Sequence, residues 1–174
     1  MRELIDAFVT HLEGLARRDD RGALAKLRRG LGRPPGTTVD ALPYVVPFLP
    51  QDEKGARTFF LVAGLFGLHP ELGGRGNFGA VFGQLGEHES AQRRFVALLD
   101  SHEDELPEHL RRAVTLARSK NVAVEYRKLL RDLTYWSHPH RFVQLEWARA
   151  YWGHPDQSSE PGPEQLSTST RVKE

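Results

Sequence analysis

Two histidine groups are the first places where this sequence could hold a reactive centre. His102-Glu103-Asp104-Glu105 with His109, and His138-Pro139-His140 with His154, have the side chains a divalent metal takes. Pro107 marks a helix start between His102 and His109, so those two do not have to share a face. A proline in a turn separates His138 from His140, and His-Glu-x-x-His is absent. Both groups read as solvated turns beside helix caps, and no metal site is expected. Ser90, Ser101, Ser119 and Ser137 fall at expected helix ends, where a hydroxyl caps backbone amides, and none stands in Gly-x-Ser-x-Gly. Gly73-Gly74-Arg75-Gly76-Asn77 follows no strand and lacks the phosphate-loop lysine, so it reads as a connector. Glu103, Asp104, Glu105 and Glu108 have no apolar surround to split their pKa values into acid and base. No enzyme and no cofactor are expected.

The arginines are more informative. Of 24 basic residues 19 are arginine, whose planar fork suits phosphate. Net charge is only +1, yet the charges are segregated along the chain. Arg17 to Arg33 holds seven basic residues against Asp19 and Asp20. Arg111 to Arg131 holds seven against Glu125 alone. An acidic run, Asp100 to Glu108, lies between them. Arg28-Arg29, Arg93-Arg94 and Arg111-Arg112 are pairs on three expected helices. Arg127 and Arg131, at i and i+4, repel across one helix face, whereas Lys128 is neutralised by Glu125 and Asp132. Such unrelieved repulsion fits a polyanion partner; a solvated face is the plainer alternative. Tyr135, Trp136, Trp147, Tyr151 and Trp152 lie among Arg131, Arg141 and Arg149, a mixture that can stack on single strands. Helical spacing places most of those rings in the core.

These residues must be positioned by helices. Leucine occurs 23 times, Ile and Val together 13, and period-2 alternation is not sustained anywhere. The expected fold is all-α, a bundle of about eight helices. Leu4, Ile5, Phe8, Leu12 and Leu15 stripe a helix near 2–17, and Asp20 caps a second that buries Leu24, Leu27 and Leu31. Gly32 to Gly36 breaks the chain, and Pro43 and Pro47 permit only short turns after it. Phe59–Leu68 is the central buried helix, followed by a mobile connection over 69–77. A short helix from Asn77 precedes one capped by Ser90. Pro107 begins the next, Val122 to Leu133 stripe another, and Pro139 opens the last, to about Trp152. The chain reads as one domain, 1–153, either a single bundle or two halves, 1–72 and 77–153. Residues 154–174 read as a disordered polar tail.

The 174 residues contain no cysteine, which excludes disulfides, thiolate nucleophiles, iron–sulfur clusters and cysteine-bound zinc. The start is too charged for a secretory leader, and Phe59–Leu68 is about half the roughly 20 residues a membrane span takes. A cytoplasmic protein is expected.

Several stretches together add a resemblance. Leu27-Arg28-Arg29-Gly30-Leu31 runs into Arg33-Pro34-Pro35-Gly36 and then Pro43-Tyr44-Val45-Val46-Pro47-Phe48-Leu49. Arg93 to Leu99, Leu110 to Val114, Tyr126 to Trp136 and Arg141 to Trp152 follow. In this order and spacing, residues 2–152 resemble the CasB family, the small subunit of the type I-E CRISPR effector complex Cascade. The resemblance implies a non-catalytic, RNA- and DNA-binding subunit of an antiviral ribonucleoprotein. Its partners would be guide RNA, target and non-target DNA strands, other Cascade subunits and a second copy of itself. It would hold the hybrid and stabilise the displaced strand of the R-loop. By position, the family's basic face falls on Arg28, Arg29, Arg93, Arg94, Arg111, Arg112, Arg131 and Arg141, and Arg127 joins them from its place beside Arg131. The alternative is a helical protein–protein adaptor whose arginine pairs contact acidic faces of neighbouring subunits.

Overall fold

The computed structural model describes residues 1–86 and 89–153, so the tail expected over 154–174 lies outside the described residues. Within them are nine α-helices and no strand, and the all-α expectation holds. α1 (Arg2–Arg17) buries Ile5, Phe8, Val9, Leu12 and Leu15. α2 (Arg21–Arg29) is capped by Asp20, whose carboxylate accepts from the Ala23 amide at 2.9 Å. After the glycine–proline breaker, 3-10 turns at Val39–Ala41 and Val46–Phe48 flank α3 (Leu42–Val45). These are the short pieces that Pro43 and Pro47 permit.

α4 (Glu53–Leu68) begins six residues before the apolar run that signals it, because Asp52 caps it by accepting from the Gly55 amide at 2.7 Å. α5 (Phe78–Gln84) is capped by Asn77. α6 (Glu89–Asp100) has Ser90 inside its first turn rather than ahead of it. In α7 (Leu106–Ser119) Pro107 occupies the second position, where no intrahelical N–H is missed. Glu125 caps α8 (Tyr126–Thr134), accepting from the amides of Arg127 and Lys128 at 3.1 and 2.7 Å. Val122, expected inside that helix, is buried ahead of it. α9 (Phe142–Trp152) starts three residues after Pro139, and Arg141 turns the chain into it at φ +48°.

α4 packs against α2, α7 and α8, and α8 also lies against α1. α5 packs on α9, and α6 on α7. All nine helices contribute to one connected apolar core, so residues on both sides of the glycine-rich stretch share it. That stretch is pinned rather than loose. A Cβ on Gly74 would lie 2.2 Å from the Val124 carbonyl carbon, an approach only glycine permits. The buried Tyr126 hydroxyl donates to the His69 carbonyl at 2.8 Å, with the Leu65 carbonyl at 3.1 Å. Burial pushes that phenol's pKa up and keeps it a neutral donor. His69 in turn donates from Nε2 to the Val122 carbonyl at 2.8 Å.

Candidate nucleic-acid interface

The nine candidate arginines divide according to what already neutralises them. On α7, Glu108 precedes Arg111 by three residues and Arg112 by four, so one carboxylate meets both guanidinium groups. Arg111 donates to it at 3.0 and 3.2 Å and Arg112 at 2.9 Å. The hydrogen bond from Arg111, aided by the charge of both arginines, holds the Glu108 carboxyl below its ordinary pKa. The trio keeps one net positive charge. Exposed pairs of this kind contribute little to stability.

Arg127 does not stand repelling Arg131 alone. Its Nε lies 3.1 Å from Asp6 Oδ1, off the N–H direction, and its Nη2 donates to Thr10 Oγ1 at 3.2 Å. It therefore ties α8 to α1. Arg141 donates to the Leu99 carbonyl, which fixes the start of α9 against the end of α6, and it has no acidic partner among the described residues. Arg29 and Arg93 have distant acidic partners, Asp40 at 3.7 Å and Glu89 at 3.9 Å. Among the described residues Arg28, Arg94 and Arg131 have no acidic partner. Lys128, as expected, is neutralised locally, by Asp132 and by Glu146 at 3.4 Å, whereas Glu125 is spent on the helix cap.

A groove of about 830 Å³ runs between the end of α2 with its following loop and the first turns of α4 and α7. Leu27, Leu31, Phe60, Leu61 and Trp136 are among its apolar lining. The α2 pair Arg28-Arg29 adjoins lining residues on one side, and Arg111 lines the other. Sequence reasoning did not include Arg33, Lys54 and Arg57, which also line it. The run of cations ending at Arg33 was the signal for the first. Four acids, Glu53, Glu103, Asp104 and Glu108, balance those four cations. Lys54 pairs with Glu103, Arg57 with Glu53 and Arg111 with Glu108, so the groove is electrically neutral. Of the nine candidates, those without an acidic partner among the described residues lie instead on α2, α6 and α8 and at the start of α9.

The aromatic residues divide as well. Trp136 and Trp147 are buried; their indoles donate to the Ser101 carbonyl at 3.2 Å and to Asp132 Oδ2 at 2.7 Å. Tyr135 and Trp152 remain 49% and 45% exposed, outside the core that helical spacing assigned to most of the rings. No group of three or more potential metal ligands gathers among the described residues, and His154 lies outside them. His140 instead donates its amide to His138 Nδ1 at 3.3 Å. None of the described helices is long and apolar enough to cross a membrane.

Residues 23–152 match the family described as CRISPR-associated protein Cse2. The chain belongs to the Cse2 family. A Cse2 protein from Thermus thermophilus is 38% identical over 138 residues, covering 75% of this chain and 79% of that one. Solved Cse2-family structures carry the name CasB as well, which bears out the resemblance read from the sequence. A crystal structure of CasB from M. ruber aligns with TM-score 0.73 at 33% identity, covering 86% of this chain and 92% of the other. A chain of a structure described as a CRISPR RNA-guided surveillance complex aligns with TM-score 0.76 at 29% identity, over the same shares.

Proposed function

We propose that this Cse2-family protein is a non-catalytic subunit of a Cascade-type CRISPR surveillance complex in the bacterial cytoplasm. It acts beside the other Cascade subunits and a second copy of itself. Its arginines grip the backbones of guide RNA and target DNA and stabilise the displaced strand of the R-loop. The observation that carries this reading is the alignment, over 86% of the chain, with a chain of an RNA-guided surveillance complex. Chemistry supports the rest. Strand exchange in an R-loop is nearly balanced in base-pairing energy, so backbone contacts decide whether it persists. Phosphate contacts need charge and spacing but no sequence readout.

Arg28, Arg94, Arg131 and Arg141 carry charge that no acid among the described residues neutralises, and they are the first candidates for phosphate. Binding of the full chain to single- and double-stranded DNA should be independent of sequence and fall steeply with salt. The slope should be about −0.7 to −0.9 per phosphate neutralised. Arg28→Glu with Arg94→Glu should weaken binding and flatten that slope while melting is unchanged. Unaltered affinity in the double variant would point to the adaptor reading, in which arginines meet acidic protein faces.

A further inference from the structure

α9 carries large apolar side chains on its outer face as well as its inner one, which is unusual because the face that meets water is normally polar. Its inner face, Val143, Gln144 and Trp147, is buried in the core. Its outer face carries Phe142, Leu145, Arg149 and Trp152, at i, i+3, i+7 and i+10. These fall within an arc of about 80° on an ideal helix. Leu145 is 50% exposed and Trp152 45%. The Tyr135 ring extends this face beyond the helix start, its centroid 5.8 Å from that of Phe142.

Trp152 is not a loose side chain. Its ring packs 5.3 Å from Phe95 of α6 and stands at 85° to Tyr151, 4.8 Å away. Packing fixes the indole while nearly half of it faces out. Arg149, exposed one turn before Trp152, has no acidic partner among the described residues. The acid of α9, Glu146, lies on the flank, 3.4 Å from Lys128. On α6, Arg94 adjoins Phe95, and the acids Glu89 and Asp100 stand at the two ends of the helix. Held, half-exposed rings interleaved with unpaired guanidinium groups are what unpaired bases and their phosphates require.

We propose that the outer face of α9, with Trp152 and Tyr135 as stacking rings and Arg149 as the phosphate contact, is a platform for the bases of single-stranded nucleic acid. This rests on the nucleic-acid reading above and deepens it: the protein holds bases of an unpaired strand as well as backbones. Duplex DNA, whose bases are already stacked, gains nothing from the rings.

The experiment uses intrinsic fluorescence of the full chain with oligothymidylate at low salt. Trp136 and Trp147 are 3% and 0% exposed, so a change on binding reports Trp152. Oligothymidylate should quench emission in the native protein and leave it unchanged in Trp152→Phe, which keeps an aromatic ring and near-native affinity. Trp152→Ala should lose about tenfold in single-strand affinity, read by anisotropy of a labelled oligonucleotide. Its affinity for a duplex of equal length should be unchanged. Single-strand binding without quenching, together with native affinity in Trp152→Ala, would overturn the platform and leave the backbone reading standing. No binding of either DNA, by the free chain or within an assembled complex, would overturn both. Loss of association with protein partners in Trp152→Ala, with DNA affinity intact, would make this face a protein contact instead.

Discussion

Asp132 Oδ2 accepts a 2.7 Å hydrogen bond from the indole Nε1 of the fully buried Trp147. The other carboxylate oxygen meets Lys128, whose ammonium also reaches Glu146. One buried acid thus joins α8 to α9 at the point where α9 also receives α5. Burial pushes the Asp132 carboxyl above its ordinary pKa; the Lys128 and Trp147 hydrogen bonds pull it back without cancelling that effect.

The sign of the resulting pH dependence follows by linkage. The folded state binds the Asp132 proton more tightly than the unfolded chain, where the pKa is about 3.9. Between that value and the raised one, this group's contribution to stability falls as pH rises. Asp132→Asn keeps an acceptor for the indole and removes the titration. Its melting temperature should decline less than the native protein's as pH rises through that window. An unchanged profile would show that other carboxyls dominate there. Trp147→Phe leaves Asp132 without its indole donor and should cost about 1–3 kcal/mol, read by chemical denaturation. Much of that cost should vanish in the Asp132→Leu background, a coupling that independent sites would not show.

Gly79 marks the closest approach of α5 and α9. A Cβ there would lie 1.9 Å from the Trp147 carbonyl oxygen, so Gly79→Ala must drive the two helices apart. A loss of 2 kcal/mol or more is expected, roughly the scale of core overpacking. Gly83 on the same helix meets nothing within 4 Å, and alanine there should stabilise by about 0.5 kcal/mol through helix propensity. Equal effects at the two sites would refute the close packing.

Glu108 restrains the two arginines that follow it. Glu108→Gln should free them for phosphate, tighten DNA binding severalfold at low salt and steepen the salt dependence by about one unit. Melting should barely move, because all three side chains are exposed. DNA affinity that ignores this change would remove Arg111 and Arg112 from the interface.

Much of the helical plan was legible in the chain. The stripes of α1 and α7 follow the 3.6-residue period, and Asp20 caps α2 as its type and position suggest. Boundaries failed where polar residues carry the first turns: α4 starts on Glu-Lys-Gly, which no apolar pattern flags. Val122 fits the stripe of α8 because a buried residue ahead of a helix can match its period by coincidence. The pairing of Arg111 and Arg112 with Glu108 was written in the i+3 and i+4 spacing and passed over. That of Arg127 with Asp6 could not be read, since it spans 121 positions and exists only once α8 lies on α1. Helical spacing alone puts Phe142, Leu145 and Trp152 on one face. Which face points inward depends on α5 and α6, and local sequence does not state it.

The contact between α1 and α8 also bears on how the chain is born. Phe8 of α1 finds Phe48 and Phe59 early in the chain, whereas the face of α1 that α8 covers waits until translation has passed residue 134. Until then that face stays uncovered on the nascent chain, a natural client for holding chaperones. Codon choice or temperature that slows elongation over that interval should therefore alter soluble yield more than any property of the finished fold would suggest.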